Sequence, residues 1–377
     1  MLSRRLRRAA LLCACATPLA VTAISNALAA DPAACMIDLA KTRNGTLGLP
    51  IRAQMTPYGR SALFVRSGPS DTRLHLYRYD LADHSTHELA APASGPETLS
   101  VAEKARRERA RQSMSGIAEY QLSDDGQTVL ASEGGHLERV DRQTGKVSPI
   151  SGDWIAPRLS PNGKMLAVVK DNDLYSVDLA TNHETRLTTG GTETLTHGLA
   201  EFAAAEELER ADGAWWSPDN QQILFEEADT SGVEKHYITN PQSPQSAPVE
   251  FRYPRAGTEN AKTRFGLVSA SGGPVRWISW DHDAFPYLGR VVWRKNGGLF
   301  VVLLNRAQTQ EQLLSVDAAT GAAKPILSQS DAAWIELDPR AASGGHDLPV
   351  ALADGSGFLW AADRGKNWQL ELHAPDG

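Results

Sequence analysis

Short apolar runs recur along the chain, each fed by the same polar phrase: a Ser or Thr, then a turn ending in Gly or Asn. Thr56-Pro57-Tyr58-Gly59 precedes Ala62-Leu63-Phe64-Val65, and Ser123-Asp124-Asp125-Gly126 precedes Val129-Leu130-Ala131. Ser160-Pro161-Asn162-Gly163 precedes Met165-Leu166-Ala167-Val168-Val169, and Ser217-Pro218-Asp219-Asn220 precedes Ile223-Leu224-Phe225. Pro presets one turn dihedral and Gly or Asn accepts a positive φ, so each phrase predicts a tight turn opening a strand. A second phrase follows: Leu76-Tyr77-Arg78-Tyr79-Asp80, Leu137-Glu138-Arg139-Val140-Asp141, Leu174-Tyr175-Ser176-Val177-Asp178 and Leu314-Ser315-Val316-Asp317. Its alternation and terminal Asp, often before Thr-Gly or Thr-Asn, predict a second strand and a hairpin.

Ser123 and Ser160 are 37 residues apart, close to one four-stranded blade of a β-propeller. Ser160 and Ser217 are 57 apart, so that repeat carries an insertion. A β-sandwich would share the turns but not this repeated order of turn, strand, second strand and Asp. The expected fold class is therefore all-β, a propeller with short helical insertions. Two segments break the β pattern: Leu99 to Met114, with Ser100 and Glu103 placed as a capping box, and Leu199 to Arg210. A Pro-, Ser- and Gln-rich loop or linker is expected from Gln242 to Pro248.

Charge narrows the ligand. The chain carries −7, and −11 without its first 29 residues, which hold four arginines and no acid. So acidic a body suits a cationic ligand and argues against a nucleic-acid partner, which needs a concentrated basic surface. Residues 1–29 read as a cleavable secretory leader: a basic start, an apolar middle, and Ala27-Leu28-Ala29 before Ala30. No stable membrane span is expected after cleavage, and Cys35 alone remains, which cannot form an internal disulfide. Periplasmic or secreted localisation follows as an expectation. Residues 30–49 then form a lead-in segment and residues 50–377 the propeller.

The chemistry is sparse. The sequence has no G-x-S-x-G elbow, H-E-x-x-H, C-x-x-C, P-loop or G-x-G-x-x-G, and its ten histidines lack metal spacing. No cofactor, metal or catalytic residue is implied. The sharpest constellation is Glu206-Glu207, flanked by Glu201 and Glu209. Adjacent helical residues differ by about 100°, so both carboxylates reach one cation only if the helix end points at it. Two such acceptors could satisfy the donors of a primary ammonium. A solvated acidic face is the competing reading.

The stretch from His197 to Pro218, with Glu206-Glu207 and Trp215-Trp216, resembles the double-glutamate segment of the dipeptidyl peptidase IV family. Phe251-Arg252-Tyr253-Pro254-Arg255-Ala256-Gly257-Thr258-Glu259-Asn260 is similar to that family's R-Y-P-x-A-G-x-x-N motif. Tyr287 to Trp293 and Leu304 to Thr309 resemble two further blade phrases, and Leu99 to Ile117 the arginine-rich segment of its dipeptidyl peptidase 8 and 9 branch. The resemblance implies an eight-bladed propeller over a hydrolase domain in a serine exopeptidase. Such an enzyme releases N-terminal dipeptides, usually with Pro or Ala second. It implies that Glu206 and Glu207 bind the ammonium of a peptide substrate with a free N-terminus. It also implies that an arginine of the Arg-rich segment, such as Arg106 or Arg107, contacts the substrate; a basic helix face pairing with nearby acids is the competing reading for these.

The resemblance stops at Pro375-Asp376-Gly377, inside the propeller region, so the propeller is expected to be incomplete and the Ser-Asp-His domain absent. A homodimer through the propeller or the missing domain is a further expectation. The alternative is a non-catalytic periplasmic propeller that binds peptides after losing the hydrolase.

Overall fold

The computed structural model describes residues 32–93, 95, 97, 99, 103–104, 107–108, 112–295, 298–337, 349–363 and 367–377. The expected leader, residues 1–29, lies outside them. Helix α1 (Pro32–Lys41) leads into the sheets. Strands β1 (Ile51–Met55), β2 (Ser61–Arg66), β3 (Arg73–Asp80) and β4 (Thr86–Ala90) form a first antiparallel blade. Strands β5 (Ser115–Leu122), β6 (Thr128–Glu133), β7 (His136–Asp141) and β8 (Val147–Ile150) form a second. A short parallel contact of β3 with β5 joins them, Leu74 opposite Gly116. Gly116 has φ 77°, and a Cβ there would stand 2.6 Å from the Leu74 carbonyl oxygen, so only glycine fits.

The third blade is β9 (Ile155–Leu159), β10 (Met165–Lys170), β11 (Asp173–Asp178) and β12 (His183–Arg186). In the fourth, β13 (Leu195–His197) and β14 (Ala214–Trp216) both pair with β15 (Gln222–Asp229). A separate hairpin, β16 (Lys235–Ile238) with β17 (Val249–Arg252), carries the Gln242–Pro248 segment at its tip. The blade then finishes with β18 (Lys262–Ser269) and β19 (Arg276–Trp277). The fifth is β20 (Tyr287–Trp293), β21 (Gly298–Leu304), β22 (Gln310–Asp317) and β23 (Ala323–Ser330). A three-stranded sheet of β24 (Val350–Ala351), β25 (Phe358–Asp363) and β26 (Trp368–His373) follows.

The cores lie between consecutive blades, which explains the continuous apolar runs. On β21, Leu299, Val301 and Leu303 pack with Leu224, Phe265 and Leu267 of the fourth blade. The alternate residues Phe300 and Val302 pack with Phe358 and Trp360 of the last sheet. A strand covered on both faces has no polar side to present, so the period of two disappears from its sequence. The same division holds on β6, where Val129 and Ala131 face the first blade and Leu130 the third.

The turn phrases are local hydrogen-bond devices. Ser160 Oγ donates to Asn162 Oδ1 at 2.8 Å and accepts the Met165 amide at 2.9 Å. Ser123 and Ser217 repeat both bonds with Asp125 and Asp219. The turns also link neighbouring blades: the Asp124 amide donates to the Pro161 carbonyl at 2.7 Å, and the Asn162 amide to Asn220 Oδ1 at 2.9 Å. At the far hairpins Asp141, Asp178 and Asp317 accept the following turn amides. Those bonds hold each carboxyl below its ordinary range. Among the described residues no helix is long and apolar enough to cross a membrane.

Candidate functional site

The insertion of the fourth blade leaves β13 and returns as β14, and a Leu199–Asp212 bridge pins its two ends together. Between them runs helix α2, only Phe202–Glu206, where the sequence predicts a helix over residues 199–210. Its start is fixed by Glu201, whose carboxylate accepts the amides of Ala203 at 2.7 Å and Ala204 at 2.5 Å. Its end is set by the chain tightening: the amides of Glu207 and Leu208 both reach the Ala203 carbonyl, and Glu209 adopts φ 52°. Helix propensity favours a longer element, but the bridge and this left-handed residue turn the chain back to the sheet.

A buried polar cluster lies beneath the helix. Glu226, fully buried on β15, takes the Glu201 amide at 3.2 Å and forms an ion pair with Arg210 at 2.7 Å. Burial, with the Glu226 charge adding to it, pushes the Glu201 carboxyl up to about 7. Burial pushes Glu226 up as well, against the pull of Arg210. Arg210 further donates to the carbonyls of Asp212 at 2.6 Å and Leu288 at 3.1 Å.

Glu206 and Glu207 are the contrast. Glu206 is the last helical residue, half-buried, and Glu207 is the exposed C-cap. Among the described residues neither carboxylate has a hydrogen-bonding or ion-pairing partner. Acids are favoured at helix starts and disfavoured at helix ends, so their placement does nothing for the helix itself. Two neighbouring carboxylates held at a helix end with their acceptor sites open can receive a compact cation.

The arginine-rich segment is built differently. Residues 103–104 and 107–108 are helical, and Arg107 is buried. Its Nε donates to Glu103 at 2.9 Å and its Nη1 to Glu97 at 2.7 Å. Burial works against the charge, yet the two carboxylates hold the guanidinium above its ordinary value. Glu97 also accepts the Gly116 amide at 2.7 Å, so Arg107 ties its helix to the start of β5. Arg106, Arg109 and Arg111 lie outside the described residues. No hydrogen bond or ion pair joins Arg107 to Glu206 or Glu207.

Trp216 is buried between the third and fourth blades and donates from Nε1 to the Arg158 carbonyl at 3.0 Å. Trp215 lies under Arg210, 5.6 Å from its guanidinium carbon. Arg255 pairs with Glu234, and Asn260 donates to the Tyr287 hydroxyl at 2.7 Å. Phe202 of α2 stands edge-on to Tyr253, centroids 5.1 Å apart. An open cavity of about 620 Å³ is lined by residues that include Glu234, Arg255, Thr258, Glu259 and Arg306.

Sequence reasoning missed the buried partners. His197 stands 2.8 Å from Asp173 and 2.9 Å from Glu227, bridging the third and fourth blades, while Arg186 and Arg264 neutralise those acids. These residues come from separate strands, and only strand pairing brings them together. Among the described residues no group of His, Cys, Asp and Glu is arranged to hold a metal ion.

Consecutive antiparallel sheets, most of them four-stranded, packed face to face with hydrogen-bonded turns between neighbours define a β-propeller protein. Residues 113–377 match the family model of the dipeptidyl peptidase IV (DPP IV) N-terminal region, and the chain belongs to that family. It is 29% identical over 204 residues to dipeptidyl peptidase 8 of Mus musculus, a match covering 46% of this chain and 22% of that protein. It is 27% identical over 220 residues to inactive dipeptidyl peptidase 10 of Rattus norvegicus, covering 56% and 26%. The crystal structure of Porphyromonas gingivalis dipeptidyl peptidase 4 superposes with a TM-score of 0.67 at 21% identity, covering 86% of this chain and 45% of that one. The chain thus spans about a quarter of these curated relatives and under half of the solved structure.

Proposed function

We propose that this propeller recognises peptides with a free N-terminus, and that Glu206 and Glu207 anchor the α-ammonium. One observation carries the reading: these two carboxylates stand open at a helix end, while Glu201, Glu226, Glu97 and Glu103 around the same insertions are all bonded. An ammonium offers three donors, and two carboxylates can share them through charge-assisted bonds. In the whole enzyme of this reading, a serine exopeptidase releasing Xaa-Pro or Xaa-Ala dipeptides, the anchor fixes how far the peptide enters. Nucleophile, general base and oxyanion hole then come from residues beyond these 377. The leader-like residues 1–29 support a periplasmic place of action.

The test uses Ala-Pro-Ala and its Nα-acetyl form, with affinities measured on the native chain and on Glu206→Gln with Glu207→Gln. The native chain is expected to prefer the free amine, and the double variant to lose that preference. Equal binding of both peptides to the native chain would sink the role.

A second reading, a non-catalytic peptide-binding propeller, is supported by the similarity to a relative described as inactive, 27% against 29% for dipeptidyl peptidase 8. Both readings share the anchor. They separate on turnover: release of dipeptide from an Ala-Pro chromogenic substrate, by this chain joined to whatever is encoded after it, favours the peptidase.

A further inference from the structure

The turn carrying Glu206 and Glu207 is gripped by two guanidinium groups reaching across it in opposite directions. On β20 the register with β21 moves from Leu288–Leu303 to Arg290–Val302, which leaves Gly289 as the extra residue of a bulge. A bulge bends its strand and re-aims the side chains beside it. Here it aims Arg290, buried, at the Leu208 carbonyl, with Nη1 at 2.7 Å. The Leu288 carbonyl on the same bulge accepts Arg210 Nε at 3.1 Å. The strand's arginine therefore holds a carbonyl of the glutamate turn, and the turn's arginine holds a carbonyl of the strand. Leu208 directly follows Glu207, and Arg210 is three residues beyond it.

The helix cannot place the carboxylates by itself. Five residues are far too few for a helix to be stable alone, and Glu209 holds a left-handed conformation just past its end. Position must come from tertiary bonds. The clasp supplies them, and both arginines are themselves set: Arg210 by Glu226, and Arg290 beside the buried Glu311, whose carboxylate accepts Gln329 Nε2 at 2.6 Å. Two positive charges near the helix's carbonyl end also offset the repulsion that adjacent carboxylates meet there.

We propose that Arg210 and Arg290 are positioning residues for the ammonium anchor, their reciprocal bonds between the glutamate turn and the β20 bulge setting where the Glu206 and Glu207 carboxylates stand. This rests on the reading of those glutamates as an N-terminal amine site. The readout is the ratio of affinities for Ala-Pro-Ala and Nα-acetyl-Ala-Pro-Ala. Partial unfolding lowers both affinities equally, so a merely structural role leaves the ratio untouched.

The experiment measures that ratio by calorimetry on the full chain, native and with Arg290→Gln, Arg290→Lys and Arg210→Lys, with circular dichroism reporting folding. Loss of the charged bond in Arg290→Gln is expected to cut the native ratio by about tenfold, the effect of one charge-assisted hydrogen bond. Arg290→Lys restores most of it, because an ammonium can still donate to the Leu208 carbonyl. Arg210→Lys keeps the Glu226 ion pair, and hence the fold, but loses the planar fork that also reaches the Leu288 carbonyl; the ratio is expected to fall severalfold. Folded Arg290→Gln and Arg210→Lys with the native ratio would discard the clasp and leave the anchor standing. A ratio near one in the native chain would discard the anchor, and the clasp with it.

Discussion

Glu201 and Glu226 lie on one side of helix α2, and Glu206 and Glu207 at its other end, yet the two pairs of acids live in opposite physical worlds. Of the first pair Glu226 is fully buried and paired with Arg210, Glu201 is half-buried, and both spend acceptor capacity on the amides that start the helix. In the second, Glu206 is half-buried and Glu207 exposed, and neither carboxylate is bonded to anything among the described residues. A buried carboxylate without partners would be costly, so the first pair must be satisfied within the chain. A partly exposed one can wait for a ligand. The same contrast separates Arg107, bonded on two sides by Glu97 and Glu103, from a guanidinium free to meet a substrate.

The sharpest way to break this comparison is Arg210→Met. It leaves Glu226 buried beside Glu201 with no counter-charge, and about 3–5 kcal/mol of stability should be lost in urea titration. A loss under about 1 kcal/mol would mean the cluster is no more committed to the fold than the open pair. Next in size is pH. Glu201 and Glu311 are both pushed up to about 7, above the ordinary 4.5, so the folded state holds more protons between those values. Their contribution is intact below about pH 4.5 and is lost as pH rises towards 7, at most about 3 kcal/mol for each group before solvent screening. Denaturation midpoints from pH 4.5 to 7.5 should follow that fall, and Glu201→Gln should flatten its share.

Ser160→Ala removes the hydroxyl that bonds Asn162 and Met165, and should cost about 1 kcal/mol in the same titration. It tests whether the repeated phrase is a local device. The smallest stability effect belongs to the open pair: Glu206→Gln with Glu207→Gln should stay within about 0.5 kcal/mol of native. A larger loss would show that these side chains hold the fold after all.

What could be read from the sequence follows the range of the interactions. The Ser-x-Asx turns and the terminal Asp of Asp141, Asp178 and Asp317 were legible because their bonds close within five residues. The paired glutamates were legible as a motif. The length of α2 was not, since residues 199–210 have the composition of a helix, and the Leu199–Asp212 bridge with the left-handed Glu209 cuts it short. Neither the Arg290 bulge nor the bridge of His197 to Asp173 and Glu227 leaves a local trace, because strand pairing across long separations creates both. For Arg107 the pairing with nearby acids was legible in part: Glu103 lies one helical turn before it, while Glu97, ten residues earlier, comes back onto it only in the folded chain.

The most direct measurement of the central claim is a crystal structure of the chain with Ala-Pro-Ala bound. The peptide's α-nitrogen is expected within about 3 Å of a carboxylate oxygen from each of Glu206 and Glu207. An ordered peptide whose N-terminus lies elsewhere, with both glutamates facing solvent, would contradict it.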